Sequence, residues 1–206
     1  MLPTLELPNG YYELPQGKLA NVVTCLEMLA PPARKLAAFP HDLTLQKADG
    51  ANLDAYRSAF RAVGQDIMWF SRLIMPDEKL RGILAHPKID SFVLKRGNAT
   101  LGLLELNFDH DSDCELAFFG LVPTAIGAGL GRALMDEALR RAWSGNIKHP
   151  IKRLWVHTCT FDAPQALPFY IRSGFAPYMR MVEVHDDPRL LGKLQKEASP
   201  QVPLLG

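Results

Sequence analysis

The clearest pattern in the chain begins at Leu130. Leu130, Leu134, Ala138 and Ala142 recur at every fourth position, and Met135, Leu139 and Trp143 widen the same apolar stripe. This period predicts an amphipathic helix. Asp136 with Arg140 and Glu137 with Arg141 are i,i+4 acid-before-base pairs on its polar face, and Gly145 is its stop. Ahead of it, residues 114–121 read as a strand that breaks at a turn carrying Gly127, Gly129 and Gly131. Alternation also predicts strands over 43–47, 91–95, 100–107 and 152–160, with Arg96-Gly97-Asn98 as the hairpin between the second and third. Helices are expected over about 53–63 behind Asn52 as N-cap, over 77–85, and from near 165 to Gly174, a left-handed cap after which Phe175 opens another strand. Residues 66–75 hold a bulky apolar set, Met68, Trp69, Phe70 and Ile74, read first as core.

The flanks read differently. Residues 1–40 are an extension in which six prolines bracket one apolar stretch; Val22 to Leu26 has strand composition and is expected to add a strand to the core. Residues 41–190 form the main domain, and residues 191–206 a tail whose prolines suggest poor order.

Composition narrows the function classes. With 206 residues and 48% hydrophobic content the chain can bury one good core. Its 23 basic and 22 acidic residues nearly cancel, which argues against a nucleic-acid or polybasic membrane surface. Cys25, Cys114 and Cys159 are widely separated, which suits reduced thiols in a soluble, cytoplasmic protein better than disulfides or a zinc site. The start lacks the pattern of a signal peptide, and no apolar run reaches membrane-spanning length. Asp109-His-Asp-Ser-Asp113 lacks the glycine and distal glutamate of a calcium loop, so no metal is expected there, and His185-Asp186-Asp187 reads as a strand exit.

The glycine-rich turn before a helix is an anion cradle. Small residues let a phosphate approach, and the first-turn amides and helix dipole face it. Spacing excludes two common types. A phosphate-binding loop of the Walker kind needs Lys then Ser or Thr, where Arg132-Ala133 stand, and a dinucleotide fingerprint needs a glycine where Arg132 stands.

Residues 126–131 resemble the acetyl-CoA-binding motif of the GNAT superfamily of N-acetyltransferases, in which Gln or Arg is followed after two residues by Gly, one residue, and Gly or Ala. Gly129 and Gly131 fit; Ile126 stands at the Gln or Arg position, where Arg132 could supply charge instead. The family's second signature, Tyr, three residues, Gly-Phe, is present as Tyr170, Gly174 and Phe175. The asparagine usual seven residues before the tyrosine is Ala163; Asp162 either takes its role or forms a capping box with Gln165. The likeness covers roughly residues 90 to 185. It implies an α/β (α+β) fold with a mixed, twisted, centrally splayed β-sheet and helices on both faces.

It also implies the chemistry. Acetyl-CoA (coenzyme A) would be held by Leu121, Val122, Gly127, Ala128, Gly129, Leu130, Gly131, Arg132 and Asp162, beside an opening between two parallel strands made by a bulge, for which Gly120 is a reasonable place. Catalysis would use Glu115 as base, Tyr170 as general acid and the Phe119 amide toward the thioester oxygen. Glu115 reads equally as a hairpin-edge carboxylate, and Glu105 and His157 are water-relayed alternatives. Trp69, Phe70 and Arg72 would wall the acceptor pocket, joined by Tyr178, Met179 and Arg180 on the last strand. No cysteine is placed as an acyl carrier, so direct transfer to a primary amine of a small molecule or peptide is expected. A non-catalytic acyl-CoA sensor and a protein or peptide N-acetyltransferase are the other readings. The oligomeric state stays open, a homodimer being one option.

Overall fold

The computed structural model describes residues 6, 8–110, 112–143 and 150–205, so Gly145 and Asp111 lie outside the described residues. Seven strands form one sheet. In chain order the elements are β1 (Lys18–Met28), β2 (Thr44–Lys47), α1 (Leu53–Gly64), α2 (Ser71–Ile74), α3 (Asp77–Leu84), β3 (Ile89–Arg96), β4 (Ala99–His110), β5 (Asp113–Leu121), α4 (Leu130–Trp143), β6 (Arg153–Cys159), α5 (Ala166–Ser173) and β7 (Ala176–Asp186). The sheet order is β2-β3-β4-β5-β6-β1-β7. Neighbours pair antiparallel except β5 and β6, which run parallel and are joined by the crossover through α4 that such a pair requires. The sheet is therefore mixed, with helices packed on it as the sequence pattern requires.

Local chemistry explains the element boundaries. Asn52 caps α1, its side chain accepting the Ala55 N–H at 2.9 Å. Gly174 ends α5 at φ +107°, so Phe175 turns back under the helix and is buried. The stripe along α4 is buried as its period demands, with Leu134 and Leu139 wholly inside the main core beside Leu26, Leu154 and Val156.

Three expectations about the chain have different outcomes. The strand expected over Val22 to Leu26 forms within β1, which is no edge strand: it is hydrogen-bonded on both edges, to β6 through Val23–Met28 and to β7 through Lys18–Glu27. The tail after Gly192 is docked rather than loose. Leu194 and Ala198 bury themselves in a second apolar cluster with Met68 and Phe161, and Ser199 Oγ donates to the Asp66 carbonyl at 2.8 Å. Buried Arg189 holds this irregular segment, donating to the Asp187 carboxylate and to the carbonyls of Ala198, Val202 and Pro203. One guanidinium thus satisfies carbonyls that a helix or strand would otherwise satisfy, which prolines in the sequence do not reveal.

The third concerns the polar face of α4. Asp136 does not pair with Arg140; it is 1% exposed and takes two hydrogen bonds from the Arg34 guanidinium and one from the Ala37 N–H. Arg140 instead reaches Glu137 and the Ala37 carbonyl, while the expected Glu137–Arg141 pair forms at 2.8 Å. The segment around residues 34–39 therefore crosses α4 and covers a face that the sequence pattern assigns to solvent.

This clamp generates a stability prediction. Hydrogen bonds from Arg34, and next the Ala37 N–H, hold the Asp136 carboxyl below the usual carboxylate range against the opposing effect of burial. A carboxylate lowered on folding stabilises fully above its unfolded pKa of about 3.9, and the stabilisation is lost as pH falls through the folded value. Arg34→Ala should cost about 2 to 3 kcal/mol near neutral pH, the lower part of the range for a buried pair because Arg34 is 33% exposed. Urea midpoints should show this gap shrinking below about pH 4; a gap independent of pH contradicts the assignment.

Candidate active site

The parallel pairing of β5 and β6 covers only Asp113 with Arg153, Cys114 with Leu154 and Glu115 with Trp155. Beyond Glu115 the two strands part, although β5 continues to Leu121 and β6 to Cys159. The cause lies in the other edge of β5. Glu105 opposes Phe118 and Leu106 opposes Leu116, so Ala117 is an extra residue, and this bulge turns β5 away from β6. The sequence reading placed the irregularity at Gly120. Gly120 is instead a packing glycine, where a Cβ would lie 2.6 Å from Val63 Cγ1.

Parting leaves main-chain groups without a strand partner. The Val122 N–H donates to the Leu101 carbonyl at 2.9 Å, and Leu121 pairs with Gly102 and Phe119 with Leu104. The alternation of an antiparallel ladder then turns the N–H and C=O of Phe119 and Leu121 away from β4, into the opening. Val122 is not brought there: it is buried, its N–H bound to Leu101 and its carbonyl to the Ala125 N–H.

A cleft of ≈ 710 Å³ occupies the opening, bounded at one end by Ile126 and Gly131 and at the other by Met68, Phe70, Phe161 and His185. Just outside the first end is the glycine turn. Gly127 and Gly129 have φ +92° and +76°, and a Cβ at either would meet nothing within 4 Å. Glycine is needed there for backbone conformation, and open space lies before it. The Ile126 N–H bonds the Pro123 carbonyl and that of Arg132 bonds the Gly129 carbonyl; among the described residues the amides from 127 to 131 have no acceptor. Gly127, Ala128, Gly129 and Arg132 are exposed, and Leu130 anchors the turn in the core.

Side chains in the cleft fall into three groups. On one face of the sheet Trp69 packs edge-on against Phe118 at 5.1 Å, and Arg72 lies 5.1 Å over the same ring. Arg72 donates to Glu105 at 2.5 Å, and the Tyr56 hydroxyl donates to the other Glu105 oxygen at 3.3 Å. On the opposite face Tyr170, from α5, stands in an aromatic set with Phe119, Phe169 and Phe175. Burial, and then the charge of Asp162, push its phenol well above the usual tyrosine range. Between them, at the fork, Glu115 Oε1 lies 4.0 Å from His157 Nε2.

Asp162 lines the cleft, but its carboxylate accepts from Thr158 Oγ1 at 2.6 Å and the Cys159 N–H at 2.9 Å, tying off the end of β6. The capping box with Gln165 does not form: Gln165 precedes α5 with no side-chain cap. Tyr178 lies apart from the cleft, beneath the Arg153 guanidinium at 4.7 Å, and Met179 and Arg180 do not line it. The cleft also holds residues that the sequence pattern does not mark as a site: Asn21, Phe161, Glu183 and His185, the last lying where β7 ends, as the strand-exit reading expects. Their signal was non-local, since β1 and β7 meet only through the sheet.

All three cysteines are free thiols. Burial raises each, the cleft residue Cys159 to about 11, so none is poised as a thiolate. Among the described residues no group of three His, Cys, Asp or Glu is arranged to hold a metal. No helix among them is long and apolar enough to cross a membrane.

Comparison with known proteins bears on this geometry. No curated protein sequence matches the chain. Among solved structures, a functionally unknown conserved protein of Staphylococcus epidermidis aligns with TM-score 0.58 at 13% identity, over 83% of this chain and 64% of that one. A GCN5-related N-acetyltransferase of Sphaerobacter thermophilus aligns with TM-score 0.54 at 16% identity, over 81% and 52%. A spermidine N-acetyltransferase of Vibrio cholerae aligns with TM-score 0.52 at 18% identity, over 75% and 99%. The chain thus spans between half and two thirds of the length of the first two, and these likenesses speak for the fold alone. The model of the acetyltransferase (GNAT) family matches residues 53–175, a span that holds the glycine turn, the fork between β5 and β6, and Tyr170. The chain belongs to the acetyltransferase (GNAT) family, whose members carry out acyl-CoA-dependent acetyl transfer.

Proposed function

We propose that this protein is an N-acetyltransferase that passes an acetyl group directly from acetyl-CoA to a primary amine of a small molecule or peptide. The observation that carries this reading is the run of partnerless amides from 127 to 131 at the mouth of a cleft that leads to the parted strands. The residues present fit the cofactor. Amides of Gly127, Ala128, Gly129, Leu130 and Gly131 at the positive end of α4 suit a diphosphate, with Arg132 beside them, while Leu121 and Asp162 border the arm's route. Exposed Ile126 offers that arm apolar contact where the family pattern has a polar side chain.

Bound acetyl-CoA supplies an activated thioester. Glu115 then takes a proton from the acceptor ammonium, and His157 at 4.0 Å relays it to solvent. The freed amine would form a bond to the acetyl carbon, and the Phe119 N–H, turned into the opening, would donate to the thioester oxygen that gains negative charge before the carbon–sulfur bond breaks. Tyr170 stays protonated through the working pH range because burial disfavours its phenolate, and it delivers its proton to the departing sulfur. Phe70 and Arg72 border the acceptor, with the edge of Trp69 behind them. Free thiols suit a reducing, cytoplasmic setting.

Two measurements check this reading, and a third is a control. Gly129→Val forces a β-branched residue to positive φ and fills the cradle, so calorimetry should show acetyl-CoA affinity falling at least about tenfold, a level set by several lost charge-assisted hydrogen bonds. Release of free CoA with an amine panel should require acceptor, with Glu115→Gln and Tyr170→Phe each lowering kcat by about 10²-fold or more while leaving cofactor affinity near wild type. Binding of acetyl-CoA with no acceptor-dependent release across the panel would favour a sensor instead. Glu105→Gln is the structural contrast: breaking its buried pair with Arg72 should lower stability by about 3 kcal/mol in chemical denaturation.

A further inference from the structure

At the end of the cleft away from the glycine turn, Asn21 on β1 stands directly opposite Glu183 on β7. Asn21 Nδ2 donates to Glu183 Oε2 at 2.9 Å. That bond fixes the amide's orientation, because the reverse would set two acceptors against each other. Asn21 Oδ1 is therefore the remaining atom; it is buried and has no hydrogen-bond donor, in a residue that is 3% exposed and lines the cleft. A buried acceptor without a donor is costly and calls for one from a ligand. The other Glu183 oxygen adds a charged acceptor beside it.

The surroundings select the donor. Asp66, Glu105, Glu115, Asp162 and Glu183 line the cleft, and Arg72, already bound to Glu105, is the lysine or arginine that opposes them there. Phe70 packs on His185 at 5.1 Å and Phe161 on the same ring at 6.0 Å, giving aromatic walls next to the pair. Two acceptors, one of them anionic, beside aromatic faces fit an ammonium, which has donors only, and the apolar walls fit a methylene chain. We propose that Asn21 and Glu183 anchor a second protonated amino group of the acceptor, so the substrate class is a diamine or longer polyamine acetylated at its far end. This assignment rests on the acetyl-transfer reading of the cleft.

The test uses α,ω-diamines of three to ten carbons, each matched with the 1-alkylamine of equal length, and measures both acetyl-CoA-dependent CoA release and binding by calorimetry. Wild type should favour at least one diamine over its monoamine about tenfold or more in kcat/KM, as expected for a charge-assisted hydrogen bond. Glu183→Gln and Asn21→Ala should erase that preference while leaving monoamine turnover and acetyl-CoA affinity within about twofold. Equal kcat/KM for every matched pair in wild type overturns the proposal, as does an equal loss for diamine and monoamine in the variants. Absence of turnover with every amine would instead fail the acetyl-transfer reading. In that case calorimetry still decides: diamine binding weakened about tenfold by either substitution supports the anchor, and unchanged or absent diamine binding overturns it. Thermal midpoints of both variants show that a loss is not unfolding, and Glu183→Asp, which keeps the charge, should retain part of the preference.

Discussion

The whole site depends on one break in a strand ladder. β5 and β6 pair in parallel for three residues each and then separate, because the extra residue at Ala117 changes the direction of β5. In the middle of a buried sheet such a break leaves hydrogen-bonding groups without partners, a condition that native structures avoid unless something else fills the gap. Here the gap opens onto a cleft, and the groups it frees, those of Phe119 and Leu121, face into it. The fork also puts Glu115 at its apex and Tyr170 along one side.

What surrounds the fork holds it open. α4, which follows directly on the glycine turn, is fixed from below by its apolar stripe and from the side by the Arg34–Asp136 clamp. On the opposite face the Arg72–Glu105 pair, with Tyr56 and the Phe118 ring, pins the segment that borders the far end of the cleft. The docked C-terminal segment supports Met68 and Phe161 at that same end. The two ion pairs would add little net stability over well-packed apolar residues, and one borders the cleft while the other borders the helix that feeds it.

Much of this was legible from residues near one another in sequence. The period of α4, the capping Asn52, the left-handed Gly174 and the spacing of Gly127, Gly129 and Gly131 are all local signals, and they lead to the observed elements and to the glycine turn at the mouth of the cleft. The pairing of β1 with β7 at the far end of the cleft was not legible, for a physical reason. Asn21 and Glu183 are 162 residues apart and meet because β1 inserts between β6 and β7, a pairing that no short-range pattern encodes. Arg34 reaching Asp136 and Arg189 gathering tail carbonyls are long-range or irregular in the same way. Helix periodicity correctly found the apolar face of α4 but assigned the other face to water by default, since it contains no information about what crosses it.

The proposed function puts coenzyme A on the amides of the turn and the fork that have no partner in the protein. Its most direct test is amide chemical-shift mapping as coenzyme A is added to the isotopically labelled protein. The largest shifts should fall on residues 127–131 and on Phe119 and Leu121, with the Val122 amide, already bonded to Leu101, moving little. Saturable binding whose shifts lie elsewhere, or no shift at the turn, would contradict the account.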